Sequence, residues 1–207
     1  MIWKIYQFYC FFYYIVKRIL GINLKGIGVL SDFIKKPKLF TFKKAIFYFN
    51  PSFSRNYCLL PGGVPNERET HTFLERVVKV FPKHRNILFI DIGASIGEFV
   101  IPLGKHAFEP NEEAAKSIMI SAFINNLDDK IRVSTNPIGS YDGDAFFYLN
   151  TRSPTGSRLV AYSQQAIKVK VRKIDSIFQE TVCDVIIKID IEGGIRSFKR
   201  SKGIYIA

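Results

Sequence analysis

The stretch "ILFIDIGASIGEFVIPLGKHAFEPN", residues 87–111, decides how the chain folds. It begins with Ile87, Leu88, Phe89 and Ile90, an apolar run that lacks the alternation of a half-solvated strand. Such a run reads as a parallel strand buried on both faces. The run ends at Asp91, and "DIGASIG" follows. Gly93 can take a backbone shape that a side chain forbids. Gly97 lets the next helix approach whatever lies above the strand tip. Free amides at the start of that helix favour electron-rich groups. Asp91 stands at the carboxyl end of the strand, where open parallel sheets bind ligands. It orders the turn or meets a ligand through water. The spacing is neither the Gly-x-Gly-x-x-Gly dinucleotide pattern nor a Gly-Lys-Ser/Thr phosphate loop.

The passage to the next strand is short. Eighteen positions separate Asp91 from Glu109 (109 minus 91) and must hold a helix and a strand. A helix over 96–103 is about 12 Å long, a five-residue strand spans about 16 Å, and a parallel crossover generally needs about a dozen residues or more. Pro102 adds strain unless it lies in the first helical turn. The expectation is a truncated helix, or a Glu109 displaced from its working position. That position matters because an acid ending a second strand can accept both hydroxyls of a ribose. After Pro110, Asn111 or an adjacent acid begins a helix, "EEAAKSIMISAFINN", with acids in its first turn.

"KIRVSTNPIG" supplies a third short strand, with Asn136 near its end as a contact to a base or as a turn residue. "GDAFFYLN" and "AIKVKVRKID" read as strands by alternation. Between them, "TRSPTGSRLVAYSQQ" reads as a hairpin-like excursion and candidate acceptor loop. Its Ser153, Thr155, Gly156 and Ser157 suit a polar substrate, and Arg152 and Arg158 an anionic one. A solvated loop is the alternative. "DVIIKID" is a second buried strand. It ends at Asp190, with Lys188 just before the tip and Glu192 two positions beyond. Two carboxylates there can orient an acceptor hydroxyl, take its proton, hold a metal, or only cap the next helix.

"FIDIGASIGEF", "AFEPN" and "IIKIDIEGG" together resemble the FkbM-type S-adenosylmethionine-dependent methyltransferases, over about residues 66–199. The resemblance implies an α/β fold with a Rossmann-like class I methyltransferase sheet. It implies that Asp91, Gly93, Ser95, Gly97 and Glu109 hold S-adenosylmethionine, and that Lys188, Asp190, Glu192 and Gly193 lie beside the reacting centre. Asn136 joins the cofactor set as a base contact, and no metal is required. Asp190 is the first candidate to orient or deprotonate an acceptor hydroxyl, and Glu192 the second. The implied reaction is O-methylation of a sugar or related small polar acceptor. A degenerate, non-catalytic binding or scaffold protein is the alternative. Gly194 and Ile195 stand where the family usually has Ala-Glu. A full fold of this type has at least two further strands and a helix, while the sequence offers one more candidate strand, "GIYIA". An incomplete sheet is therefore expected, as in a fragment, a decayed copy or a domain completed by a partner chain.

The 207 residues suffice for a sizeable core, and 47% hydrophobic against 23% charged residues argues against wholesale disorder. The net charge of +12 is uneven. Residues 1–50 hold nine Lys or Arg and one acid, a balance of +8. Domains are expected as a basic, aromatic-rich region over 1–50, a Pro/Gly/Asn-rich linker over 51–65, and a methyltransferase-like domain over 66–207. "MIWKIYQFYCFFYYIVKRIL" mixes aromatics with Lys and Arg, which suits an anionic membrane surface. A helix packed on the domain core and a membrane span are the other readings. No small-x-small cleavage site follows, so a signal peptide fits poorly. The interleaved Lys and aromatics have no RNA-binding signature or Arg-rich recognition helix, which argues against nucleic acid. Three widely spaced cysteines argue against a disulfide framework or structural zinc. The expected setting is cytoplasmic, peripheral on the inner face of a membrane.

Overall fold

The computed structural model describes residues 1–22, 26–80, 87–103, 106–150, 156–161, 163–177, 183–191 and 204–206. Helices α1 (Ile2–Leu20) and α2 (Ile27–Asp32) precede a hairpin, β1 (Lys38–Phe42) and β2 (Ala45–Phe49). Two 3-10 turns, Pro51–Tyr57 and Leu60–Gly62, lead to α3 (Arg68–Val80). There follow β3 (Ile87–Ile92), α4 (Val100–Leu103), β4 (His106–Phe108), α5 (Glu112–Ile124) and β5 (Arg132–Ser134). Then come β6 (Gly143–Tyr148), β7 (Arg158–Val160), β8 (Ala166–Val171), α6 (Ile174–Ile177), β9 (Asp184–Ile189) and β10 (Ile204–Ile206).

The architecture is mixed α/β. Five strands form one sheet in the order β10-β9-β3-β4-β5, and every neighbouring pair is parallel. β3 and β9 lie in the interior of this sheet, which is why their sequences are continuous apolar runs. Ile90, Ile92 and Ile186 are all essentially inaccessible. "GIYIA" does supply a strand, β10, beside β9. The 143–171 region forms a separate antiparallel sheet, β7-β6-β8.

The cramped crossover is resolved by shortening the helix. Residues 95–99 turn without forming α-helix, and α4 is a single turn over Val100–Leu103. Pro102 sits inside that one turn, where its missing N–H costs little. The helix expected over 96–103 is thus cut to half its length. β4 still pairs in register with β3, with Ile92 opposite Phe108. Glu109 therefore emerges level with Gly93.

α3 buries His71 and Leu74, while Phe73 and Val78 are exposed. The sequence "ERETHTFLERVVKVF" sets Phe73, Leu74, Val77, Val78 and Phe81 on one helical face, but the buried face of α3 is rotated toward His71, whose imidazole is held by hydrogen bonds. Phe81 and Pro82 lie outside the described residues.

The stretch read as a linker over 51–65 is packed. Tyr57 and Leu60 are fully buried, in one cluster with Tyr6, Phe47, Ile96, Val100 and Ile118. β2 docks its free edge on α5 through three side chains at helical spacing. Ser121 Oγ accepts the Tyr48 N–H at 3.0 Å. Asn125 Oδ1 accepts the Ile46 N–H at 2.9 Å, and Asn125 Nδ2 donates to the Ile46 carbonyl. Asn50 Nδ2 donates to Glu113 Oε2 at 3.1 Å. The Ser121 and Asn125 bonds pair edge groups of β2 that its hairpin partner leaves open. Among the described residues, no helix is long and apolar enough to cross a membrane.

Candidate functional site

A cavity of about 600 Å³ opens above the carboxyl ends of β3, β4 and β9. That volume suits a small-molecule ligand. Strand order in the parallel sheet reverses between β3 and β9: the chain runs outward from β3 to β4 and β5, then returns to β3's other side. Open parallel sheets bind ligands at such a reversal. The cavity's floor is the turn after β3 and the tip of β9. One wall is the antiparallel sheet, with Phe147 and Leu159. The opposite wall comes from Phe53, Asn56, Asn66 and Glu67.

Gly93 has φ +79°, and a Cβ built there would lie 2.0 Å from the Asp190 carbonyl oxygen. Glycine is thus required by the close approach of the two strand tips as well as by the turn. Gly97, at φ +81°, would crowd Ile101 and Ile118, so its role is to let α5 pack. It does not line the cavity. Ser95 holds a left-handed backbone at φ +51° without being glycine, a conformation that costs on the order of 1–3 kcal/mol. This geometry aims the Ser95 N–H at Glu109 Oε2, 2.7 Å away. Glu109 Oε1 accepts the Asn111 N–H at 2.9 Å. Asn111 also caps α5, accepting from the Glu113 and Ala114 N–H groups. Glu109 lines the cavity and is 8% exposed. Burial pushes its carboxyl up to about 7, against the pull of the two backbone donors.

Asp91 does not reach the cavity: it is fully buried. Neither of its oxygens has a hydrogen-bond partner among the described residues. Its nearest cation is Lys188 Nζ at 3.4 Å, an ion pair longer than a good hydrogen bond. β3 and β9 place Asp91 and Lys188 directly opposite each other. Lys188 also lies 3.5 Å from Asp190 Oδ2 and 4.9 Å from the Phe99 ring centroid. Burial alone would lower the Lys188 ammonium. Asp91, Asp190 and Glu67 outweigh it and hold the group above its ordinary value, hence charged. Asp91 itself is raised by burial, which Lys188 opposes but does not overcome. Burial thus sets the direction for Asp91, and the surrounding carboxylates set it for Lys188.

The structure thus brings Gly93, Ser95, Glu109, Lys188 and Asp190 to one cavity, with Asp91 beneath Lys188. Asn136 is elsewhere: its Nδ2 donates to the Lys170 carbonyl at 3.0 Å, and Ser134 holds its other side. It is a turn residue tying β5 to β8, and a contact to a base has no support there. Ser157 and Arg158 line the cavity. Arg152, Ser153, Thr155, Glu192 and Gly193 lie outside the described residues.

Three cavity residues escaped sequence reasoning. Asn56 Nδ2 donates to Ser95 Oγ at 3.0 Å, and Asn56 Oδ1 is inaccessible and unpartnered among the described residues. Glu67 lines the cavity with its carboxyl raised by burial. Glu98 is held by the Asn66 N–H and Nδ2, both at 2.9 Å, and by His71 Nε2 at 2.8 Å. Lys43 Nζ lies 2.7 Å from His71 Nδ1. Lysine can only donate, so Nδ1 accepts and Nε2–H faces Glu98. Of the three, Glu98 alone sits within the glycine turn, and its place in "SIGEF" was the available signal.

Comparison with curated proteins and with solved structures gives no match. The family model for the methyltransferase FkbM domain matches residues 91–194, half of the chain, from the tip of β3 to just past β9. The matched span contains Glu109, Lys188 and Asp190 and leaves the Asn56–Glu67 wall outside it. The chain belongs to the FkbM methyltransferase family.

Proposed function

We propose that the chain transfers a methyl group from S-adenosylmethionine to a hydroxyl of a small polar acceptor, a sugar being the favoured class. The sheet is read as Rossmann-like, of the class I methyltransferase kind. Counted by appearance, its strands run 3-2-1-4-5, the order of a doubly wound nucleotide-binding sheet. The observation that carries the reading is the position of Glu109 at the tip of β4, locked beside the glycine turn.

The residues fit the cofactor. Each Glu109 oxygen accepts one backbone N–H, and a carboxylate offers about four acceptor positions. Capacity for two ribose hydroxyls therefore remains. The orphaned Asn56 Oδ1 suits a ligand N–H or O–H. The carboxylates of Glu67, Glu98, Glu109 and Asp190 suit a cation.

When bound, S-adenosylmethionine would supply an electrophilic methyl carbon whose leaving group is a neutral thioether. Alignment supplies much of the advantage in such a displacement. Asp190, with its side chain 65% exposed at the cavity mouth, orients the acceptor hydroxyl and takes its proton. Lys188 steadies that carboxylate from below, and Asp91 anchors Lys188.

Calorimetric titration with S-adenosylmethionine tests the proposal. The wild type binds, and Glu109→Ala and Asn56→Ala each weaken binding about tenfold or more. Absence of binding by the folded wild type overturns the reading.

A further inference from the structure

The site leaves one surface without a role. Helix α1 is apolar on two faces. Tyr6 and Cys10 point into the core. At about 100° per residue, Ile5, Phe8, Phe12 and Ile19 fall within roughly 60° of arc, on the opposite side of the helix. All four are exposed, Phe8 at 68% and Ile19 at 72%. The Phe8 and Phe12 rings stack on each other at 6.3 Å. A contiguous apolar stripe of this kind marks a contact surface.

Its surroundings specify the contact. Lys4, Phe11 and Arg18 run along one flank of the stripe, and all three are exposed. Residues 1–31 contain four Lys or Arg and no acid. Arg18 donates to the Tyr14 hydroxyl at 3.3 Å, which sets an aromatic beside a cation at the helix end. Exposed apolar residues flanked by cations and tyrosines are what a helix lying in an anionic lipid interface presents. A second copy of the chain fits less well. From Ile5 to Ile19 the stripe is about 21 Å long and about 10 Å wide, so it offers about 200 Å², against about 800 Å² per partner in a stable complex. Two-fold pairing of antiparallel helices would also bring Lys4 of each copy toward Arg18 of the other. A bilayer needs no reciprocal area and supplies the opposite charge.

We propose that the outer face of α1 docks the protein on an anionic lipid surface, with Phe8, Phe12 and Ile19 entering the headgroup–acyl boundary and Lys4 and Arg18 meeting lipid phosphates. This rests on nothing in the cofactor site.

The test is co-sedimentation of the full chain with vesicles of phosphatidylcholine alone, or with about a third phosphatidylserine. The wild type partitions at least about tenfold more strongly onto the anionic vesicles. Phe8→Glu/Phe12→Glu loses about tenfold or more of that partition. Lys4→Glu/Arg18→Glu loses a similar amount, and this loss vanishes in high salt. Should the glutamates disturb the helix, Phe8→Ser/Ile19→Ser serves, with an unchanged melting temperature as the check on folding. Three results overturn the proposal: no partition of the wild type, undiminished partition of both apolar-face variants, or a wild-type dimer in solution that those variants dissociate.

Discussion

Glu109→Gln separates the charge of the site's central carboxyl from its shape. In the folded chain this carboxyl keeps its proton up to about pH 7, because burial disfavours the charge. In the unfolded chain it releases the proton near its ordinary 4.5. Below that lower value both states are protonated, and the group has no net effect. Between the two, the unfolded state has lost a proton that the folded state retains. Stability therefore falls as pH rises through this window and levels off above about 7. The full difference corresponds to about 3 kcal/mol. Glutamine cannot ionise, so this slope is absent from the variant. It can accept only one of the two N–H groups from Ser95 and Asn111, which costs about 1–3 kcal/mol at every pH. The variant is thus the less stable protein at pH 5, and the gap closes or reverses by pH 8. Urea unfolding of both proteins at intervals from pH 5 to 8 reads this directly. Asp91 and Glu67 are also raised and add slope, but equally to both curves. Parallel curves for the two proteins would refute the burial argument.

Gly93→Ala places a methyl 2.0 Å from the Asp190 carbonyl at φ +79°, and it costs more than about 3 kcal/mol in thermal melts. Gly63→Ala, at φ +77° with open space around it, isolates the backbone part and costs only about 1–2 kcal/mol. Lys188→Met removes the cation beside the fully buried Asp91 and destabilises by about 3–5 kcal/mol at neutral pH. Because burial favours protonated Asp91, that loss shrinks toward pH 5, and adding Asp91→Asn recovers most of it at pH 8.

Much of this was legible where local chemistry and global packing agree. "ILFI" and "DVIIKID" contain the burial pattern of interior parallel strands, and "EPNEEAA" contains an Asn cap and first-turn acids. Hence the two strand tips, and the residues between which the cavity lies, were readable. The short crossover was readable as a problem but not in its solution, since a single helical turn over Val100–Leu103 depends on β4 keeping register with β3. The surroundings of Gly97 and Asp91 were hidden for a related reason. A turn glycine serves the ligand or a neighbouring helix according to what packs over it, and here that is Ile118. Asp91 points toward whichever residue stands opposite on β9, a partner 97 positions away. Asn56 could not be seen at all. It becomes part of the site only because the 51–62 turns fold back over the strand tips.

That fold-back joins the stretch that the family model matches, which supplies the strand tips, to residues before it, which supply a cavity wall. The boundary of the recognisable domain is therefore not the boundary of the chemical compartment. Transplanting residues 51–67 from a relative would reshape what the compartment admits while leaving every strand-tip residue in place. A fragment starting at Asp91 would lose that wall and, with Ile87 to Ile90, most of the interior strand β3.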